Sequence, residues 1–179
     1  MMYQEIIEFW FNETDQTKWF KKDPEFDALI CRRFLKVHAR AIRCELFSWR
    51  TTALGSLAEI VVLDQFSRNM FRDKPESFAY DSIALVLAQT AISKGFDGQL
   101  SPDKRAFLYM PFMHSESLLI HEEAVKLFTQ LGAKSNLEYE MRHKAIIERF
   151  GRYPHRNKIQ GRISTSEELE FLLTPGSSF

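Results

Sequence analysis

Residues 56–69 read SLAEIVVLDQFSRN. Ile60, Val61, Val62 and Leu63 are consecutive, a run that suits a buried strand or a buried helix equally well. Two features favour the helix. Ser56 and Glu59 have the spacing of a capping box, in which each side chain satisfies an orphan N–H at the helix start. The stretch from Leu57 to about Asn69 is also longer than a typical buried strand. A helix apolar on every side belongs in the middle of a packed domain.

Helical punctuation continues outward from this stretch. On the N-terminal side, Ile6, Ile7, Trp10 and Phe11 mark one face of a helix over about 3–11. Asp23-Pro24-Glu25 is a strong start, with a capping acid, a proline in the first turn and an acid behind it. Phe26, Ile30, Phe34, Val37 and Ala41 then recur at spacings of three and four, which predicts a helix to about Leu46. On the C-terminal side a helix over about 77–94 is stopped by Gly95. A short one from Ser101-Pro102-Asp103 is ended by Pro111, another begins at Ser115 and stops at Gly132, and Ser135–Glu138 has capping-box spacing for a helix to Phe150. Gly151 is expected at the left-handed position that closes that helix. A last helix follows Ser164 and Thr165 and ends before Pro175. No period-2 segment interrupts the series. The prediction is an all-α chain of about eight helices paired as antiparallel hairpins, forming one domain over residues 1–179.

Composition narrows the function classes. Lys+Arg and Asp+Glu are both 24, so the net charge is zero. General attraction to nucleic acid or to an anionic membrane is not expected, and anion binding would have to come from local clustering. Cys31 and Cys44 fall in one predicted helix, too far apart along it for a disulfide, which suits reduced thiols in the cytoplasm. The N-terminal MMYQEIIEFWFNETD has early acids and no basic lead, unlike a secretory signal.

Three polar motifs stand out. In 63–72, LDQFSRNMFR, the residues Asp64, Arg68 and Arg72 are four apart and share a face if the helix persists. In 110–116, MPFMHSE, His114 precedes a helix start and Glu116 lies in its first turn, where a histidine tends to stay neutral and can act as a base. The third, 150–162, reads FGRYPHRNKIQGR. Its glycines and proline make it a connecting loop, and its Arg152, His155, Arg156 and Arg162 either tie that loop down or seat an anion. His114-Ser115-Glu116 and His121-Glu122-Glu123 lack zinc-protease spacing, so no metal and no cofactor is expected. Walker, GxSxG and GxGxxG motifs are missing. His38 and His143 read as helix-surface or core residues, and the three tryptophans as core rather than a base-stacking platform.

Together the three motifs, with the run ERFGRYPHRNKIQGRISTSEELEFL, resemble the signature segments of the bacterial domain-of-unknown-function family DUF924. The resemblance spans nearly the whole chain, from the early FWF to Leu172. Two departures are small: Tyr153 stands where Phe is usual, and Gln160 where Leu is common. The resemblance implies an α-α superhelix similar to tetratricopeptide-repeat proteins and brings no known activity.

Two functional readings and a structural one follow from the motifs. In the first, Arg68, Asn69, Arg72, Arg152, His155, Arg156, Asn157 and Arg162, with His114, line a cleft for a small anionic molecule or an acidic peptide end. In the second, a hydrolase uses His114 or His155 as general base, oriented by Asp64 or Glu116. In the third, the motifs form an internal polar network.

Overall fold

The computed structural model describes residues 2–178. Among them it contains eight helical rods and no strand: α1 (Tyr3–Glu8, continued by a π turn Phe9–Glu13), α2 (Pro24–Ala41), α3 (Ala53–Val61, carried through a π turn Val62–Phe66 into Ser67–Met70), α4 (Asp81–Ser93), α5 (Pro102–Met113), α6 (Leu118–Leu131), α7 (Lys134–Phe150) and α8 (Ser166–Leu172). The chain divides into two compact units. The first runs to Arg72 and includes Glu76–Pro111; the second comprises Asp73–Pro75 and the chain from Phe112 onward.

In the first unit α3 is the central rod, as its sequence predicts. Every residue from Gly55 to Ser67 is buried, and α1, α2, α4 and the turn Phe47–Thr51 all pack on it. Its start is not where the Ser56–Glu59 spacing put it. Thr52 is the cap, accepting from the Gly55 N–H at 3.1 Å. Ser56 is interior, and Glu59 instead takes both arms of Arg50 at 2.7 Å. The cause is Gly55: a Cβ there would stand 2.1 Å from the Trp49 carbonyl oxygen, so the preceding turn folds onto this glycine and the helix begins early.

Other boundaries also move. α2 ends at Ala41, so Cys44 lies beyond it in a turn, exposed and at φ 57°, while Cys31 is half-buried; both are free thiols. Pro111 sits inside α5 rather than ending it. So near the C-terminal end it forfeits one ladder bond, and the helix completes its last turn. α6 begins at Leu118, three residues after Ser115, and α7 begins at Lys134 with no side-chain cap.

In the second unit α6 and α7 form a helical hairpin across Gly132-Ala133. Gly151 closes α7 at φ 67°, the left-handed angle its position predicts. The last helix opens on a capping box, with Thr165 and Glu168 each accepting the other's backbone N–H.

Candidate functional site

The expected site residues divide between the two units. In the first, Asp64, Arg68, Asn69 and Arg72 lie along or just past the end of α3. Asp64 is fully buried and accepts from Gln65 at 2.6 Å and Arg68 at 3.3 Å. The stronger partner of Arg68 is Asp81 at the start of α4, gripped by two bonds of 2.9 and 3.0 Å. Asp27 on α2 is held by both Asn69, at 2.8 Å, and the Arg72 fork, at 2.6 and 2.8 Å. Arg72 is already beyond the helix, which ends at Met70. These groups join three helices by paired forks, the geometry that suits guanidinium and carboxylate best.

In the second unit the basic loop is laced to its surroundings in the same manner. Arg152 gives two bonds to Glu168, at 2.6 and 2.8 Å, and a third to the Ile163 carbonyl. Arg162 gives two to Glu116, at 2.6 and 2.9 Å, and a third to the Tyr153 carbonyl. Glu116 also accepts the Tyr153 N–H at 2.7 Å. Arg156 is buried, lies 4.6 Å from the Tyr153 ring centre and donates to the His114 carbonyl. Asn157 is buried and donates to Ser164. Glu116 precedes α6 instead of sitting in its first turn, and His114 is likewise in the connecting loop. The helix-terminus argument for a neutral His114 therefore has no basis here.

The polar centre of this unit includes two helix residues outside the expected set. His121 and Glu140 are fully buried and meet at 2.7 Å across the α6–α7 hairpin. His121 Nε2 faces the Ser115 carbonyl at 2.8 Å and the Tyr153 hydroxyl at 3.1 Å. That hydroxyl donates to the Met113 carbonyl at 2.6 Å, so Nε2 carries a proton. Nδ1 and the Glu140 carboxyl are left with one proton on the line between them. Glu140 Oε2 is buried without a partner, and burial raises the carboxyl's pKa despite the neighbouring His121 and Lys144. His143 is buried at 5% exposure and donates Nδ1–H to the Tyr139 carbonyl. Burial first, then the charges of His114, His121 and His155, bring it down to about 3. Four of the five histidines thus lie in this unit, and three of them bear on His143. The sequence carried a signal for two of them. His121, Ala124 and Phe128 share a helical face, as do Glu140, His143 and Ile147, and all six are buried.

The electrostatics follow from the pairing. Burial pushes the Glu116 carboxyl up, but the Arg162 fork, the Tyr153 N–H and the Arg156 charge outweigh it and leave it below its ordinary value. Glu168 is brought to about 2, chiefly by Arg152.

One further arrangement imitates a nucleophile and its base. His38 Nε2 lies 2.8 Å from Ser67 Oγ, both buried. The serine hydroxyl is spent on the Leu63 carbonyl at 2.6 Å, so the imidazole donates rather than accepts. Burial brings His38 down to about 4, which fits that neutral donor. Among the described residues no cluster of three or more His, Cys, Asp or Glu is placed to hold a metal ion. No helix there is long and apolar enough to cross a membrane.

The family model described as bacterial protein of unknown function DUF924 matches residues 6–176. Among solved structures, the chain is similar to the protein of unknown function ATU0120 from Agrobacterium tumefaciens. The two share 40% identity over 96% of each chain, with a TM-score of 0.91. Comparison with the curated proteins finds no match.

Proposed function

The chain belongs to the bacterial family of unknown function DUF924, and from that premise we propose that it is a non-enzymatic binding protein, built of antiparallel helical hairpins of the tetratricopeptide kind. Its polar motifs serve as internal locks. The observation that carries this reading is the spending of four motif arginines on acids: Arg68 on Asp81, Arg72 on Asp27, Arg152 on Glu168 and Arg162 on Glu116. For these forks to seat an anionic ligand or an acidic peptide, they would have to abandon half-buried or buried carboxylates. That exchange is costly, because a buried charge without its partner is strongly destabilising. A hydrolase would need a histidine beside a carboxylate and open to substrate. His121 and Glu140 meet at the right distance but are both sealed from solvent.

Arg162→Ala tests the reading by thermal unfolding with and without phosphate or citrate. A lock loses about 3 kcal/mol, the low end for breaking a buried pair, which lowers the Tm by roughly 6–12 °C in a chain of this size. A ligand seat instead keeps its Tm and loses any stabilisation the anions gave the unaltered protein. That second outcome would refute the lock.

A further inference from the structure

A groove on the second unit lies beside the start of the basic loop, between a face of α7 and the end of α8 with the turn after it, and measures about 360 Å³. Arg142, Ile146, Arg149 and Phe150 line one side, at the i, i+4, i+7, i+8 spacing of a single helix face, with Phe171 and Pro175 opposite. The floor is continuous with the unit's apolar core, since Phe150 and Phe171 pack on Ile146, Ile147 and Tyr153 while remaining partly exposed. The two ring centres are 5.0 Å apart.

The two cations differ. Arg149 is engaged by Glu167 at 2.9 Å, and its guanidinium lies 4.7 Å from the Phe150 ring centre and 5.8 Å from that of Phe171. Arg142 is exposed and, among the described residues, touches the Tyr139 ring but makes no ion pair. The arginines are seven residues apart, about 10 Å along the axis, and only Arg142 is not already held by an acid. A guanidinium at one end of an apolar, ring-lined floor matches one carboxylate on an apolar body. We infer that this groove binds a small apolar monocarboxylate, with its carboxylate on Arg142 and its body against Ile146, Phe150 and Phe171. The inference goes beyond the locks and does not depend on them.

The test follows backbone amide shifts while the protein is titrated with 4-phenylbutyrate and, separately, with 4-phenylbutanol. The acid should move the amides of residues 142–150 and 171–176 and bind about fivefold more tightly than the alcohol, the upper range for an exposed charge pair. Arg142→Gln should remove that preference, whereas Arg149→Gln should leave it. Ala145→Trp, which fills the groove from an exposed position, should abolish binding with the fold intact. Equal binding of acid and alcohol, shifts confined to other residues, or no shift at about 10 mM, which is weaker than −3 kcal/mol, would each overturn the proposal. So would a peptide ending in phenylalanine that binds where the free acid does not.

Discussion

Phe66, at the middle of the first unit, is surrounded by other rings: Phe34 stacks on it at 4.9 Å, with Trp10 at 5.5 Å and Phe9 at 6.0 Å. Tyr153 holds the equivalent place in the second unit, with His155, His143 and His121 rings at 5.6, 5.7 and 6.3 Å and the Arg156 guanidinium closer still. Both residues are fully buried. Rings gain from contact in several geometries and ask for no partner. Imidazoles, a carboxyl and a phenol each demand a donor or acceptor in one place, so a polar centre fixes one arrangement and is exposed to changes of charge. The centre of the first unit is therefore specified by volume and that of the second by hydrogen-bond direction.

The largest effect that should separate them is Phe66→Ala. It should cost about 3–5 kcal/mol, the range for emptying an aromatic site in a tight core, measured by urea unfolding. A loss under about 1 kcal/mol would mean that the first unit does not stand on ring packing.

Acid should bear hardest on the second unit. His143 stays neutral in the folded chain down to about pH 3, while in the unfolded chain it protonates near 6.5. The unfolded state therefore takes up the proton first, and stability present above 6.5 drains away as pH falls toward 3. By pH 4.5 the loss is about 2–3 kcal/mol. Glu168 adds to the decline below about 4.5, because its folded carboxyl holds out to about 2. Glu140 acts in the opposite sense, contributing at low pH and losing its contribution as pH rises through its elevated value. His38 gives the first unit a decline of the same sign that levels off sooner, near 4. Amide hydrogen exchange followed separately in the two units between pH 7 and about 3.5 would read this out. Equal losses throughout would erase the contrast.

The smallest effect sharpens the comparison most. Tyr153→Phe installs the residue that the family resemblance leads one to expect and keeps the ring. It removes the donor to the Met113 carbonyl and the neighbour of His121 Nε2. A loss of about 1 kcal/mol is expected. No loss would show that the ring alone matters there, as it does for Phe66.

The same contrast explains what could be read in advance. The central position of α3 was legible because its apolar run and length are local properties. Its first residue was not, because the close approach of the Trp49 carbonyl to Gly55 is a tertiary event. The arginines at 68, 72, 152 and 162 were visible as motifs, and the ambiguity between site and lock lay in their acids. Asp27 is 45 residues from Arg72, and Glu116 is 46 from Arg162. Nothing in the spacing of either pair announces the contact. His121 and Glu140 were within reach of the helical spacing rule, but His121 stood out only with Glu122 and Glu123 as a metal site, and Glu140 belonged to no motif. A buried histidine and a buried carboxyl become plausible only once each is seen to satisfy the other.

The π turn at Val62–Phe66 holds one more residue than an α turn would. Deleting a single residue there would return the rod to α geometry with the residues beyond it in nearly their present directions, whereas a deletion inside the α stretch Ala53–Val61 would rotate everything after it by about 100°. Arg68 would stay on Asp81 and Asn69 on Asp27 in the first case and swing away in the second. The extra residue thus works as slack, so across relatives a one-position gap inside Val62–Phe66 should leave the side chains at 27 and 81 unchanged.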